Sequence, residues 1–156
     1  MIKIDIPGRE GLELENLVFD FNGTIAVDGR ILENIKNQLS QLSRKINIYV
    51  ITADTYGVAQ EECEKVNLKV ITVPTGCVGK HKSDLVKKLG GDVTGVVGNG
   101  FNDIDMFKEA RLSIAVIEGE GTCSKLIMNS DIVTRSIEEA LNLFLVPNHI
   151  KADLRW

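Results

Sequence analysis

Four short segments of this 156-residue chain carry residue types suited to covalent and metal chemistry. Asp20-Phe21-Asn22-Gly23-Thr24 offers a carboxylate beside a glycine and a hydroxyl. Ile51-Thr52-Ala53-Asp54 offers a second hydroxyl at the end of an apolar run. Lys80-His81-Lys82 is a basic cluster that precedes a helical stretch. Gly98-Asn99-Gly100-Phe101-Asn102-Asp103 offers a second carboxylate between glycines. An aspartate can act as a nucleophile, and carboxylates hold Mg²⁺. Glycine-rich backbone N–H groups and a lysine stabilise phosphoryl oxygens. Gathered in one place, the four segments form an inventory for binding phosphate and a divalent cation.

Whether they gather depends on the elements that carry them. β-branched apolar runs read as strands over Ile2–Ile6, Leu17–Phe21, Ile46–Ile51, Val70–Val73, Val93–Val97, Ile114–Ile117 and Ile132–Val133. Helical spacing lies between them. In Leu32–Leu42 the residues Leu32, Ile35, Leu39 and Leu42 share one face. Further helices are expected over Thr55–Val66, Ser83–Leu89, Asn102–Glu109, Thr122–Asn129 and Ser136–Phe144. The last opens on Ser136-x-x-Glu139, the pattern of a capping box. Strands alternating with helices predict an α/β fold, a mostly parallel sheet covered on both faces. Ligands of such sheets sit beyond the carboxyl ends of the strands, where three of the four segments fall.

Taken in order, these segments resemble the four motifs of the haloacid dehalogenase (HAD) superfamily. Asp20–Thr24 is similar to D-x-D-G-T with its third residue changed. Thr52 resembles the second motif and Lys82 the third. Gly98–Asp103 resembles G-D-G-x-N-D. The gaps of 32, 30 and 17 residues suit the family, and the nearest likeness is to its soluble, P-type-ATPase-like members. The resemblance implies a three-layer α/β/α sandwich around a Rossmann-like parallel sheet, a single domain over residues 1–156 with no cap domain. It implies an Mg²⁺-dependent phosphohydrolase or phosphotransferase that forms an aspartyl phosphate on Asp20. Asp20, Asn22, Thr52 and Lys82 would be the catalytic set. Gly23, Thr24, Thr52, Ala53 and Lys82 would bind phosphate, and Asp20, Asn22, Asn99 and Asp103 the metal.

Two positions depart from the pattern. Asn22 stands where the family's phosphatases carry an acid that protonates the leaving group and activates water. Asn99 stands where motif four begins with Asp, so one formal charge is lost from the metal site. A catalytically weakened module that binds phosphate, metal or a protein is therefore the alternative reading. Residues 24–31 read as a small hairpin flap with Asp28-Gly29 at its turn. Without a cap the site would be open, accepting a large or small phosphorylated substrate or borrowing a neighbouring subunit of a homo-oligomer as lid.

Plainer roles compete for some residues. Thr52 and Asp54 also suit helix capping. Lys80, Lys82, Lys87 and Lys88 could form a solvated basic face, although only Lys82 lies in the motif register. Cys63, Cys77 and Cys123 read as small buried hydrophobes, and the two histidines as exposed. The 149–156 tail could dock on the body or in an interface. Lysine plus arginine number 18 against 22 acids, a net charge of −4, and aromatics are 5%, which argues against a nucleic-acid binder. No apolar run is long enough to span a membrane, and the three cysteines form no CxxC pair. A reducing cytoplasm is the expected setting. The order of acidic residues does not suit a receiver domain, and no G-x-G-x-x-G follows an early strand.

Overall fold

The computed structural model describes residues 1–53, 57–66 and 68–156. The strands are β1 (Ile2–Ile4), β2 (Leu12–Leu14), β3 (Asn16–Asp20), β4 (Asn47–Thr52), β5 (Lys69–Thr72), β6 (Thr94–Gly98), β7 (Leu112–Val116) and β8 (Ile132–Thr134). The helices are α1 (Glu33–Ser43), α2 (Val58–Glu64), α3 (Val78–Leu89), α4 (Ile104–Glu109), α5 (Ser124–Ile127), α6 (Ile137–Leu145) and α7 (Asn148–Leu154). Strands β3 to β8 form one six-stranded sheet in the order β5-β4-β3-β6-β7-β8, and every pair in it is parallel.

Alternation along the strands builds two cores. Leu17 and Phe19 of β3, Val50 of β4 and Ile114 of β7 join one apolar cluster with residues of α1, α2 and α6. Val18, Ile51, Val96 and Ala115 point the other way, among residues of α3, α4 and α5. The expected three layers are therefore present. Burying each such side chain contributes roughly 1.5–3 kcal/mol, which is why the central strands are apolar on both faces.

The strand order reverses between β3 and β6. From β3 the chain winds outward through β4 to β5, and from β6 outward the other way through β7 to β8. The crevice at this switch point lies beyond the carboxyl ends of β3 and β6, the natural ligand position in an open parallel sheet. Asp20 ends β3 and Asn99 follows β6.

Several elements differ from the sequence reading. The opening strand is short and pairs antiparallel with β2 in a separate ribbon; Glu13 interrupts two leucines, so β2 carries little strand signal. Residues 24–31 form successive turns with two isolated bridges, Asn22–Ala26 and Val27–Arg30, in place of a regular hairpin. Helix α3 begins at Val78, so Lys80, His81 and Lys82 lie inside it rather than ahead of it. Cys77 precedes that helix at φ 57°, a left-handed start that no propensity signals. The expected helix from Thr122 shrinks to α5. The tail forms α7, whose Ile150 is buried, and the Trp156 N–H donates to the Pro7 carbonyl at 3.2 Å; it docks on the body. At Ser136 the hydroxyl accepts the Glu139 N–H at 3.1 Å, but the Glu139 carboxylate takes the Arg135 N–H, so the cap is one-sided. Of the cysteines only Cys63 is buried, and Cys77 is exposed. The start of the expected helix at Thr55 and the cap at Asp54 lie outside the described residues.

Candidate active site

Asp20 stands at the end of the central strand because β3 is flanked on both sides, which aims its last residue into the crevice. Its side chain is 13% exposed. Lys82 projects from the second turn of α3 and is almost fully buried. Its Nζ donates to Asp20 Oδ1 at 2.6 Å, to Asp103 Oδ1 at 2.6 Å and to Asn102 Oδ1 at 3.2 Å. One ammonium thus joins the end of β3, helix α3 and the loop after β6. Thr24 Oγ1 lies 3.4 Å from Asp20 Oδ2 and 3.2 Å from Asn99 Oδ1, within reach of donating to either oxygen.

Asp103 is completely buried. Its Oδ2 accepts the N–H groups of Asn99 at 3.0 Å and Gly100 at 2.9 Å, while Oδ1 takes Lys82. The carboxylate reaches this position because residue 98 is glycine. A Cβ there would meet the Asp103 carboxylate oxygen at 2.5 Å. Asp103 accordingly holds the loop and Lys82 from beneath. It does not line the cavity.

That cavity has a volume of about 540 Å³, and its walls include Asp20, Asn22, Thr52, Ala53, Lys82 and Asn99. These sequence-derived residues converge as expected. Gly23 and Thr24 do not face it as phosphate donors: the Gly23 N–H is held by the Ala26 carbonyl at 2.8 Å and the Thr24 N–H by the Phe21 carbonyl at 3.3 Å. Their contribution is to the turn. Gly23 sits at φ 73°, and a Cβ would fall 2.3 Å from the Asn99 amide nitrogen, so only glycine lets the turn close on Asn99. Thr75, Gly100 and Asn102 also line the cavity. Of these Asn102 had a signal, its place in the fourth motif, whereas Thr75 lies in a loop with none.

The charges are unbalanced. Burial, then the neighbouring Asp103 carboxylate, push the Asp20 carboxyl up from 3.8 to about 7, against the opposing pull of Lys82. Burial alone would lower the Lys82 ammonium, but Asp20 and Asp103 outweigh it and hold its pKa above the ordinary value. A second positive charge near Asp20 would relieve this strain. The oxygens facing the cavity, from Asp20, Asn22 and Asn99, are hard donors that fit Mg²⁺, which is held by one or two carboxylates with water and phosphate completing its shell. No group of three His, Cys, Asp or Glu side chains suited to a metal occurs among the described residues, which is consistent with so sparse a carboxylate set.

No family model matches the chain. It is 49% identical over 59 residues to an uncharacterized protein of Methanocaldococcus jannaschii, a stretch covering 38% of this chain and 63% of that protein. Over 113 residues it is 32% identical to a protein of Archaeoglobus fulgidus described as a copper-exporting P-type ATPase, covering 71% of this chain and 13% of the ATPase. The chain therefore spans under two thirds of the former relative and a small part of the latter. Among solved structures it superposes on the 3-deoxy-D-manno-octulosonate 8-phosphate phosphatase of Moraxella catarrhalis, a complex with magnesium, phosphate and the sugar acid. The TM-score is 0.72 at 17% identity, over 89% of this chain and 90% of that one. The cobalt-bound phosphatase of Haemophilus influenzae gives 0.72 at 13% identity, over 91% and 93%. A Streptomyces avermitilis protein described as a HAD family hydrolase gives 0.68 at 14%, over 85% and 84%. The chain shares the fold of these three structures.

Proposed function

We propose that this HAD-fold chain is an Mg²⁺-dependent phosphohydrolase or phosphotransferase that works through an aspartyl phosphate on Asp20. The observation that carries the reading is the single buried ammonium of Lys82 held between Asp20 and Asp103, at the switch point of a parallel sheet. Asp20 Oδ2, the oxygen not held by Lys82, attacks phosphorus, and the bond from phosphorus to the leaving oxygen breaks. The Thr52 hydroxyl binds a phosphoryl oxygen, while Lys82 keeps its bond to Asp20, fixing the orientation of that carboxylate, and turns its third N–H from Asn102 to the phosphoryl group. Thr24 holds Asp20 and Asn99 in register. Asp20, Asn22 and Asn99 would hold Mg²⁺, which would supply positive charge to stabilise the phosphoryl oxygens and keep Asp20 ionised. Water then attacks phosphorus, releasing inorganic phosphate and restoring the carboxylate.

Asn22 faces the cavity but cannot transfer a proton. General acid–base help is worth about 10²–10⁴-fold. Its absence slows alkyl phosphates more than acyl phosphates or anhydrides, whose leaving groups depart without a proton. It also lengthens the life of the phosphoenzyme, as suits a relative of P-type ATPases, which hold their phosphoryl group. A second reading rests on the same residue and on Asn99: a weakened module that binds phosphate, metal or a partner with little turnover. The two are separated by Mg²⁺-dependent hydrolysis of an aryl phosphate and by trapping a hydroxylamine-labile phosphoryl group on wild-type protein. Both signals should vanish in Asp20→Asn. Turnover retained in that variant, with unchanged circular dichroism, would remove Asp20 from the mechanism. Failure to detect either signal in the wild type would leave the binding module.

A further inference from the structure

A second cavity, of about 750 Å³, lies against the first. The two share a thin wall. Val78 lines the catalytic cavity while its neighbours Cys77 and Gly79 line the other, and Gly100 faces the catalytic side while Phe101 faces away. Asn102 lines both, and its side-chain oxygen accepts from Lys82 at 3.2 Å. The second cavity thus opens directly beside the point where a phosphoryl group would be held.

Its lining differs in character from the rest of this acidic chain. Three lysines, Lys80, Lys108 and Lys125, face it against one carboxylate, Asp105. Lys80 is paired with Asp84 at 2.5 Å. Neither Lys108 nor Lys125 has a carboxylate within ion-pair distance among the described residues. The Lys125 Nζ sits 5.7 Å from the centre of the Phe101 ring. Phe101 is 65% exposed and Met128 is 84% exposed, in a chain whose other phenylalanines are mostly core. An apolar platform edged by two unpaired ammonium groups suits a flat or apolar body that bears a negative charge.

We infer that this cavity is the leaving-group subsite, and that the substrate is a small phosphate ester whose leaving group carries a second anionic group on an apolar or planar body. The inference rests on the phosphoryl-transfer reading of Asp20. Phe101 and Met128 contact the body of the leaving group, and Lys108 and Lys125 attract its charge. Selectivity comes from this neighbouring surface.

The test compares Mg²⁺-dependent hydrolysis of phenyl phosphate and 4-carboxyphenyl phosphate by the wild type and by the double variant Lys108→Gln/Lys125→Gln. Two solvent-facing charges together should give about tenfold preference in kcat/KM for the carboxylated ester, expressed in KM. That preference should fall to near one in the double variant. It should also shrink in the wild type as salt is raised, since exposed charges are screened. Equal kcat/KM for the two esters in the wild type, or a preference that survives the double substitution, overturns the subsite while leaving Asp20 chemistry intact. No turnover of phenyl phosphate by the wild type overturns the Asp20 reading and the subsite with it.

Discussion

Replacing the nucleophile should make the metal-free protein more stable at neutral and alkaline pH. The Asp20 carboxyl is raised from 3.8 to about 7 because it is buried next to Asp103. A carboxyl whose folded pKa lies above its unfolded one binds more protons folded than unfolded between those values, so stability falls as pH rises through that window. The penalty is absent below about pH 4 and complete above about pH 7. At about 1.4 kcal/mol per pH unit the ceiling is about 4 kcal/mol. Part of it reflects the Lys82 pair, which the variant keeps in neutral form, so Asp20→Asn should gain about 2–4 kcal/mol at pH 8. The amide oxygen keeps the Lys82 hydrogen bond, and the amide nitrogen can donate to Thr24. A 156-residue chain has an unfolding entropy of about 0.33 kcal/mol/K, so the gain corresponds to a Tm about 6–12 °C higher. Urea denaturation with EDTA from pH 4.5 to 8.5 reads this directly: the two curves should converge at the acid end and separate toward the alkaline end. With excess Mg²⁺ the gap should close from the wild-type side. A variant that is equally or less stable at pH 8 without metal would refute the charge imbalance on which the metal site is argued.

Lys82→Met removes the shared cation and leaves two buried carboxylates facing each other, so it should cost about 3–5 kcal/mol at pH 8; chemical denaturation measures it, and partial recovery near pH 5 is expected as one carboxyl takes a proton. Asn22→Asp should raise steady-state hydrolysis of an alkyl phosphate by more than that of an aryl phosphate and shorten the life of any trapped phosphoenzyme; rapid-quench assays on both esters check the order. Glu62 on α2 receives the Ile31 N–H at 3.2 Å and Lys36 at 3.1 Å. Hydrogen bonding to Lys65, with these partners, lowers its carboxyl from 4.5 to about 2. Its stabilisation is present above about pH 4.5 and is lost as pH falls toward about 2, so Glu62→Gln should cost about 1–2 kcal/mol at pH 7 after solvent screening, with the difference from wild type narrowing between pH 5 and pH 3 in urea titrations.

The convergence of Asp20, Thr52, Lys82 and Asn99 was legible in the chain because each follows or borders a strand or helix whose apolar pattern is strong. Parallel pairing then leaves little choice over which end of the sheet they share. The roles within the cluster were less legible. The family resemblance implies Gly23 and Thr24 as phosphate-binding residues, yet the turn takes both N–H groups. Asp103 reads as a ligand by type, but the closeness allowed by Gly98 turns its oxygens toward backbone amides and Lys82. The start of α3 depends on a left-handed Cys77, and β2 and α7 are defined by what they dock against rather than by periodicity. Such features arise from packing between residues far apart in the chain, which local pattern does not carry.

The seam between β3 and β6 has a consequence for synthesis. β3 pairs with β4 across a separation of about thirty residues, but with β6 only after residue 94 is made. Until then Asn16–Asp20, whose central Leu17, Val18 and Phe19 are apolar and buried in the finished sheet, presents an unpaired parallel edge. Open strand edges of this kind invite pairing with another chain, and long-range parallel pairing is slow to form. Chains interrupted within the first ninety residues should therefore aggregate through β3, whereas those that extend past β6 should cover it.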